Sequence, residues 1–348
     1  MVVDLYSLKD KNILFFLIKN FGSYNLIVDK LQSYGANVTH YDERPANNNL
    51  TKGLLRIAPN LIQKKIKDYY KRILEEIKDT KFDYLLVIRG EVVPEFFLKE
   101  FKKLNPSCEL IFYNWDSFKN TPNTSKHLTL FNRCYTFDSE DAKNMRINFL
   151  PLFFYDEFKL EKSDSTNKIY DLLFLGTAHS DRYLIANELS NWCENNGLKA
   201  FNYFFMQGKL VYFIKRLIDP TFKKFDYKKL SFNSLTASDM VNYYKKANVI
   251  LDVNHPFQTG LTMRTFEAIG SRKKLITTNS EIKKYPFYNE KNIFVIDRNN
   301  LKLEKDFFES EYNDLDDDMY NKLSMEGWLN NLFFDENKYF WNKMLENV

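Results

Sequence analysis

Cysteine is scarce in this chain of 348 residues: Cys108, Cys134 and Cys193 lie far apart. An odd, scattered set fits neither a disulfide framework nor a zinc site, so each is expected to pack as a small apolar residue. Histidine is nearly as rare, and His40, His127, His179 and His255 never fall in an H-x-x-x-H or H-E-x-x-H spacing, which argues against a histidine-built metal centre. The ten glycines are never two apart, which excludes the G-x-G-x-x-G dinucleotide fingerprint; a P-loop G-x-x-x-x-G-K-[ST] and a G-x-S-x-G nucleophile elbow are missing as well. No apolar run approaches the ~20 residues that cross a bilayer. Residues 13–18 are typical, and Asp4 with so short a run makes a poor signal peptide, so a cytoplasmic protein without a membrane span is expected. Charge of neither sign dominates: 50 basic and 46 acidic residues leave +4, too balanced for wholesale nucleic-acid binding.

What the chain does have is apolar bulk. Hydrophobic residues make up 44% and include 32 Phe and 22 Tyr, enough for large cores, and the length suggests about two domains. Short runs rich in Ile, Val, Phe and Tyr alternate with helical stretches, the pattern of an α/β fold. In the first half the expected strands are 12–18, 36–41, 84–89, 110–114, 134–137 and 149–153, with helices near 23–33, 58–78 and 94–103. Residues 155–168 are polar and lack periodicity, so they read as a linker. The alternation then restarts, with strands expected at 171–175, 199–204, 249–253, 275–278 and 293–296 and helices at 181–195, 237–246 and 260–269. An aromatic amphipathic helix is expected over 326–347. The domains implied are 1–160, 168–325 and a terminal helical segment 326–348.

The stretch 249–279, VILDVNHPFQTGLTMRTFEAIGSRKKLITTN, reads strand, loop, helix, strand. Thr259 is a plausible N-cap and Gly260 permits close approach of a ligand. Backbone N–H groups of Gly260, Leu261 and Thr262 would then form an anion site at a helix N-terminus, suited to a diphosphate, with Arg264 in the first turn. Met263, Glu267 and Gly270 share a helix face, which sets the Glu267 carboxylate behind the phosphate site, where it can accept hydrogen bonds from ribose hydroxyls.

This segment resembles the donor-binding motif of GT-B glycosyltransferases, E-x-F-G-x-x-x-x-E-A. The second Glu of that motif falls on Glu267, followed by Ala268, whereas the first falls on Thr259 and the Phe-Gly pair on Leu261 and Thr262. Residues 172–183, LLFLGTAHSDRY, are similar to the family's strand and loop, in which basic residues one and six after the Gly hold the diphosphate. Counted from Gly176, the sixth is Arg182 and the first is Thr177. Together with YNWDS at 113–117, CYTFDSEDA at 134–142 and FLPLF at 149–153, they resemble a bacterial group of lipopolysaccharide and capsule glycosyltransferase-like proteins. The resemblance covers roughly 84–279. It implies two Rossmann-like domains facing a cleft, a last helix crossing back to the N-terminal domain, and sugar transfer from a nucleotide-sugar donor to a growing surface glycan.

In open α/β sheets ligands lie beyond the carboxyl ends of the strands. Those ends present Ser23, Glu91, Trp115 and Asp116 in the first half, and Gly176, His179, Arg182, Asn254 and His255 in the second. Gly176, Arg182, Asn254, His255, Thr259, Gly260, Leu261, Thr262, Arg264 and Glu267 are the expected donor residues, and Ser23 and Trp115 the expected acceptor residues. For an inverting reaction Asp116, Glu91 or His179 is the candidate catalytic group; a retaining reaction needs no base. No resident metal or cofactor is expected, and the acidic run 314–318 reads as a solvated turn. Two alternatives stay open: a catalytically inactive nucleotide-sugar or glycan-binding protein, which the missing first Glu permits, and a sugar-nucleotide epimerase of the same fold. Finally, the basic, aromatic stretch 209–229 suggests peripheral contact with the inner face of an anionic cytoplasmic membrane, where a lipid-linked acceptor resides.

Overall fold

The short apolar runs become parallel strands because their residues are buried on both faces, as the Ile, Leu, Val and Phe content requires. The computed structural model describes residues 5–19, 23–46, 59–120, 123–161, 168–256, 258–335 and 337–346. Two units form, one from residues 1–151 with 326–348 and one from residues 152–325.

In the first unit the order is β1 (Asn12–Phe16), α1 (Ser23–Ser33), β2 (Asn37–Tyr41), α2 (Pro59–Ile77), β3 (Tyr84–Ile88), α3 (Glu95–Leu104), β4 (Glu109–Asn114), β5 (Arg133–Thr136), α4 (Ser139–Met145) and β6 (Asn148–Phe149). The sheet runs β2-β1-β3-β4-β5-β6, all parallel. Leu14, Phe16, Leu85, Val87, Leu110 and Phe112 on its strands pack against Tyr70 and Ile73 of α2 and Phe97 and Phe101 of α3.

The second unit contains β7 (Tyr170–Thr177), α5 (Arg182–Asn195), β8 (Ala200–Phe205), α6 (Lys209–Ile218), β9 (Leu230–Ser231), α7 (Ala237–Lys245), β10 (Ala247–Asp252), α8 (Met263–Gly270), β11 (Lys274–Thr277), β12 (Ile293–Val295), α9 (Lys305–Glu309) and α10 (Asp317–Lys322). Its parallel sheet runs β12-β11-β10-β7-β8-β9. The strand order reverses between β7 and β10, a topological switch point of the kind where open sheets bind ligands. Leu172, Phe174, Val249 and Leu251 form the core with Tyr183 and Leu189 of α5 and Tyr212 of α6.

Three elements differ from the sequence reading. Strand β6 stops at Phe149; Leu150 still donates to Thr136 O, but Pro151 has no N–H to continue the ladder. Residues 152–160, expected with the first domain or in a solvated linker, pack inside the second unit. The Phe154 ring meets Tyr320 at 4.9 Å, Phe158 meets Tyr244 at 5.3 Å, and Ser271 Oγ donates to Phe158 O at 3.2 Å. The approach at Phe154 is close enough to need a glycine, since a Cβ on Gly270 would lie 2.6 Å from its ring. Part of the expected linker, 162–167, lies outside the described residues.

The C-terminal segment is two helices rather than one, α11 (Met325–Phe334) and α12 (Lys338–Glu346), broken where Asp335 takes a left-handed φ of 55°. Residues 326–348 belong to the first unit. Trp328 meets the Tyr113 ring edge-on at 5.1 Å, Phe333 meets Tyr84 at 5.1 Å, and Leu332 O accepts from Arg133 Nη1 at 3.2 Å. The three cysteines are free, and burial pushes each thiol up to about 12. Among the described residues no helix is long and apolar enough to cross a membrane.

Candidate functional site

The second unit gathers its charge at the carboxyl ends of β7 and β10. Arg182 opens α5 just past β7. Its guanidinium donates through Nη1 to His179 Nε2 at 3.1 Å, so the His179 ring proton sits on Nδ1, 3.1 Å from Ser180 Oγ. Burial pushes the His179 pKa down to about 4, with the positive charge of Arg182 and of its other neighbours adding to the effect. His179 is thus neutral and holds Arg182, which leaves its Nε2 lone pair occupied. Arg182 itself is held below its ordinary pKa by burial, with Arg264 and Arg298 adding repulsion against Asp252 and Asp181.

Helix α8 starts later than its sequence suggests. Thr262, not Thr259, is the N-cap: its Oγ1 accepts from Arg264 N at 3.1 Å and donates to Asp252 Oδ2 at 2.8 Å. Thr265 Oγ1 donates to the same carboxylate oxygen at 3.0 Å. Asp252, the last residue of β10, therefore fixes where the helix begins, and Gly260 and Leu261 lie buried in the loop before it. That loop is tied down by its neighbours. Asn279 Nδ2 donates to Thr259 O at 3.0 Å and Asn254 Nδ2 to Gln258 O at 2.9 Å, while Asn254 Oδ1 accepts from Thr278 Oγ1 at 2.7 Å and from Arg298 Nη2 at 2.6 Å. Arg298 Nη1 also reaches Asp181 Oδ2 at 2.6 Å. The polar atoms of Asn254 thus serve the loop. His255 is exposed next to them, its ring 6.2 Å from that of His179.

On α8, Glu267 is only 6% exposed and accepts from Tyr244 Oη at 3.0 Å, with Arg264 Nη1 at 4.0 Å. Burial holds the carboxyl above its usual range, against the pull of Arg264 and Tyr244. Two buried guanidinium N–H groups have no hydrogen-bond partner here, Nε of Arg182 and Nη1 of Arg264. A buried donor left unpaired costs about 1–3 kcal/mol, more when charged, so an acceptor reaching these two groups would be favoured; Nε of Arg44 and Nε of Arg89 in the first unit are buried and unpaired as well. Phosphate oxygens supply that chemistry. Asp252, Tyr244, Thr265, Arg298 and Asn279 were not singled out from the sequence; the signal available was a carboxylate closing an otherwise apolar strand at 249–253.

The first unit places a different set at the ends of β2, β3 and β4. Arg89 and Gly90 both take positive φ, 75° and 63°, and this turn swings Arg89 between Glu91, at 3.4 Å, and Asp116, at 3.5 Å. Arg44 closes on Glu91 from the other side. Asp116 Oδ1 accepts from Ser117 N at 2.9 Å and Asn120 Nδ2 at 3.0 Å, and Trp115 beside it is half-buried. Beneath them Glu43, fully buried, accepts from Glu91 N at 3.2 Å, and burial pushes its carboxyl up to about 8. Glu91 also lines a recess of about 450 Å³ with Lys67, Phe96, Lys126 and His127. Ser23 opens α1, but its side chain lies outside the described residues. Among the described residues no three His, Cys, Asp or Glu side chains gather to hold a metal ion.

No family model and no curated protein matches the chain. Among solved structures it is similar to a glycosyltransferase from Rickettsia africae ESF-5, at 13% identity over 97% of this chain and 100% of that one, with a TM-score of 0.52. It is also similar to Anabaena Alr3699/HepE in complex with UDP and glucose (10% identity, 82% and 85% covered, TM-score 0.49) and to UDP-GlcNAc 2-epimerase from Methanocaldococcus jannaschii (10%, 86% and 90%, 0.44). Two parallel six-stranded sheets wrapped by helices, matched over the whole Rickettsia chain, define the GT-B type of α/β fold.

Proposed function

We propose that the chain is a glycosyltransferase that takes a sugar from a nucleotide-sugar donor bound at the β7/β10 switch point. The observation that carries this reading is the pair of unpartnered, buried guanidinium N–H groups of Arg182 and Arg264 at the strand ends where an open sheet binds its ligand. In the reaction the bond between the anomeric carbon and the diphosphate oxygen breaks, the acceptor oxygen bonds to that carbon, and the acceptor proton departs. Negative charge grows on the leaving nucleoside diphosphate, where Arg182 and Arg264 stabilise it. Because these groups supply the positive charge, no resident metal is invoked. Glu267 accepts from the ribose hydroxyls, and neutral His179 keeps Arg182 aimed at the phosphates. An inverting course passes that proton to a carboxylate or histidine base, whereas in a retaining course the leaving diphosphate takes it. A growing cell-surface glycan is the acceptor class that fits the sequence resemblance.

Thermal shift against nucleoside mono- and diphosphates tests the donor site, with Glu267→Gln as the variant because it keeps the side-chain size. A ligand at about 100 times its Kd adds about 2.7 kcal/mol to stability. One diphosphate is expected to stabilise the wild type and to lose most of that effect in the variant; a panel without any binder overturns the reading. Acceptor-dependent release of the diphosphate then separates transfer from epimerisation, which converts donor without an acceptor.

A further inference from the structure

Helix α6 is amphipathic in the wrong direction for a core helix. Tyr212 is buried among the unit's core side chains, but Leu210, Phe213, Ile214, Leu217 and Ile218, spaced i, i+3, i+4, i+7 and i+8, are each between 49% and 83% exposed. That spacing builds one continuous apolar stripe along the outer face. Other exposed large apolar side chains, such as Tyr6, Met145, Ile169 and Tyr339, are scattered along the chain and need no special account. Next to the stripe, Tyr227 stacks on Phe213 with ring centroids 5.9 Å apart and leaves its own ring partly exposed. Tyrosine is a residue type favoured where apolar and aqueous phases meet.

The charge around the stripe has one sign. Residues 209–229 hold seven basic and two acidic side chains, a net +5 that exceeds the +4 of the whole chain, so the remainder of the chain is slightly acidic. Lys209, Arg216, Lys223, Lys224, Lys228 and Lys229 are exposed. Both acids are occupied locally, Asp219 accepting from Thr221 N and Asp226 from Lys228 N. An apolar helix face bordered by lysines suits a layer with an apolar interior and an anionic surface. A second copy of the chain would bring the same positive charge against it.

We propose that α6 is a membrane-docking helix, its Leu210–Phe213–Ile214–Leu217–Ile218 face entering the interfacial region of an anionic bilayer while the surrounding lysines contact the headgroups. Docking is independent of the transfer chemistry. On the donor-site reading, however, it brings the unit that carries that site to the bilayer, because Tyr212 of α6 and Tyr183 of α5, next to Arg182, share one core.

The test is flotation of the full chain with phosphatidylcholine vesicles, plain or containing about 30% phosphatidylglycerol. The wild type is expected to float with the anionic vesicles at low salt, to leave them at high salt, and to ignore plain ones. Exposed residues can be changed without disturbing the core: Leu217→Ser with Ile218→Ser is expected to weaken partitioning at least about tenfold, and Lys223→Glu with Lys224→Glu about fivefold per lysine. In Phe213→Trp the indole emission is expected to shift to the blue on anionic vesicles only. Nucleoside diphosphate thermal shifts in the Leu217→Ser, Ile218→Ser variant report on the donor site separately. Failure of the wild type to float at low salt overturns the proposal. So does a concentration-dependent dimer that dissolves in that variant, which assigns the face to a second copy.

Discussion

Both units collect charge at the carboxyl ends of parallel strands, yet the two clusters are finished differently. In the first, Glu91 and Asp116 share Arg89, Arg44 closes on Glu91, and the buried Glu43 lies below them. Two carboxylates there face two guanidinium groups, although Nε of Arg44 and Nε of Arg89 are buried without a hydrogen-bond partner. In the second, Arg298 is used up on Asp181 and Asn254, but Arg182 and Arg264 each keep a buried N–H without a partner. The same architecture thus yields guanidinium groups paired with carboxylates in one unit and, in the other, an Arg182 whose hydrogen-bond partner is a neutral histidine. An anion has more to gain where a guanidinium charge is not already met by a carboxylate, as at Arg182.

The largest expected effect tests the cluster of the first unit. Burial raises the Glu43 carboxyl from 4.5 to about 8, so the folded state holds its proton more tightly than the unfolded state does. The stability this contributes is complete below pH 4.5 and is lost as pH rises through 8, by up to about 5 kcal/mol. Glu43→Gln keeps the buried side chain neutral and should flatten that alkaline limb in denaturant midpoints measured against pH. His179 gives the opposite sign in the other unit. Its pKa falls from 6.5 to about 4, so the stability it contributes is present above 6.5 and is lost as pH falls through 4. His179→Gln should flatten the acid limb and leave the alkaline one. If both variants move the same limb, the two clusters are not the separate electrostatic devices described here.

Next in size is Arg182→Ala. Hydrogen bonds to charged groups contribute about 1.5–3 kcal/mol, so diphosphate affinity measured by calorimetry should fall roughly 30-fold. Arg89→Ala sharpens the contrast: it strips Glu91 and Asp116 of their shared partner and should lower stability, but leave diphosphate affinity as it was. Equal losses of affinity in both variants would erase the distinction between the two clusters.

How much of this could be read from the residues follows the same division between local and distant information. Strands such as β3 and β10 are legible because apolar runs bounded by polar residues declare themselves locally. The start of α8 is not, since Thr259 and Thr262 are equally good caps by type and the choice is made by Asp252, whose carboxylate binds Thr262 and Thr265. Arg298 is invisible for a related reason, being brought to Asp181 and Asn254 only by the return of β12 to the sheet edge. Phe154 and Phe158 were obscured by the polar residues that follow them. In α6 the periodicity was present, but lysines on every side disguised a helix whose apolar face points outward.

The smallest effect asks what Glu267 does, and Tyr244→Phe isolates it. The substitution removes one hydroxyl, which donates to Glu267 Oε2 at 3.0 Å, and should cost about 1 kcal/mol of stability. That hydrogen bond also favours the ionised carboxyl, so its loss raises a pKa already held up by burial. If Glu267 accepts from ribose hydroxyls, the ionised form is the better acceptor, and nucleoside diphosphate affinity in the variant should weaken a few-fold at neutral pH and recover as pH rises. A purely structural Glu267 predicts the same stability loss with an unchanged pH profile of binding. The direction of that profile, more than the size of either loss, decides whether the proposed donor site extends from the phosphates to the sugar of the nucleotide.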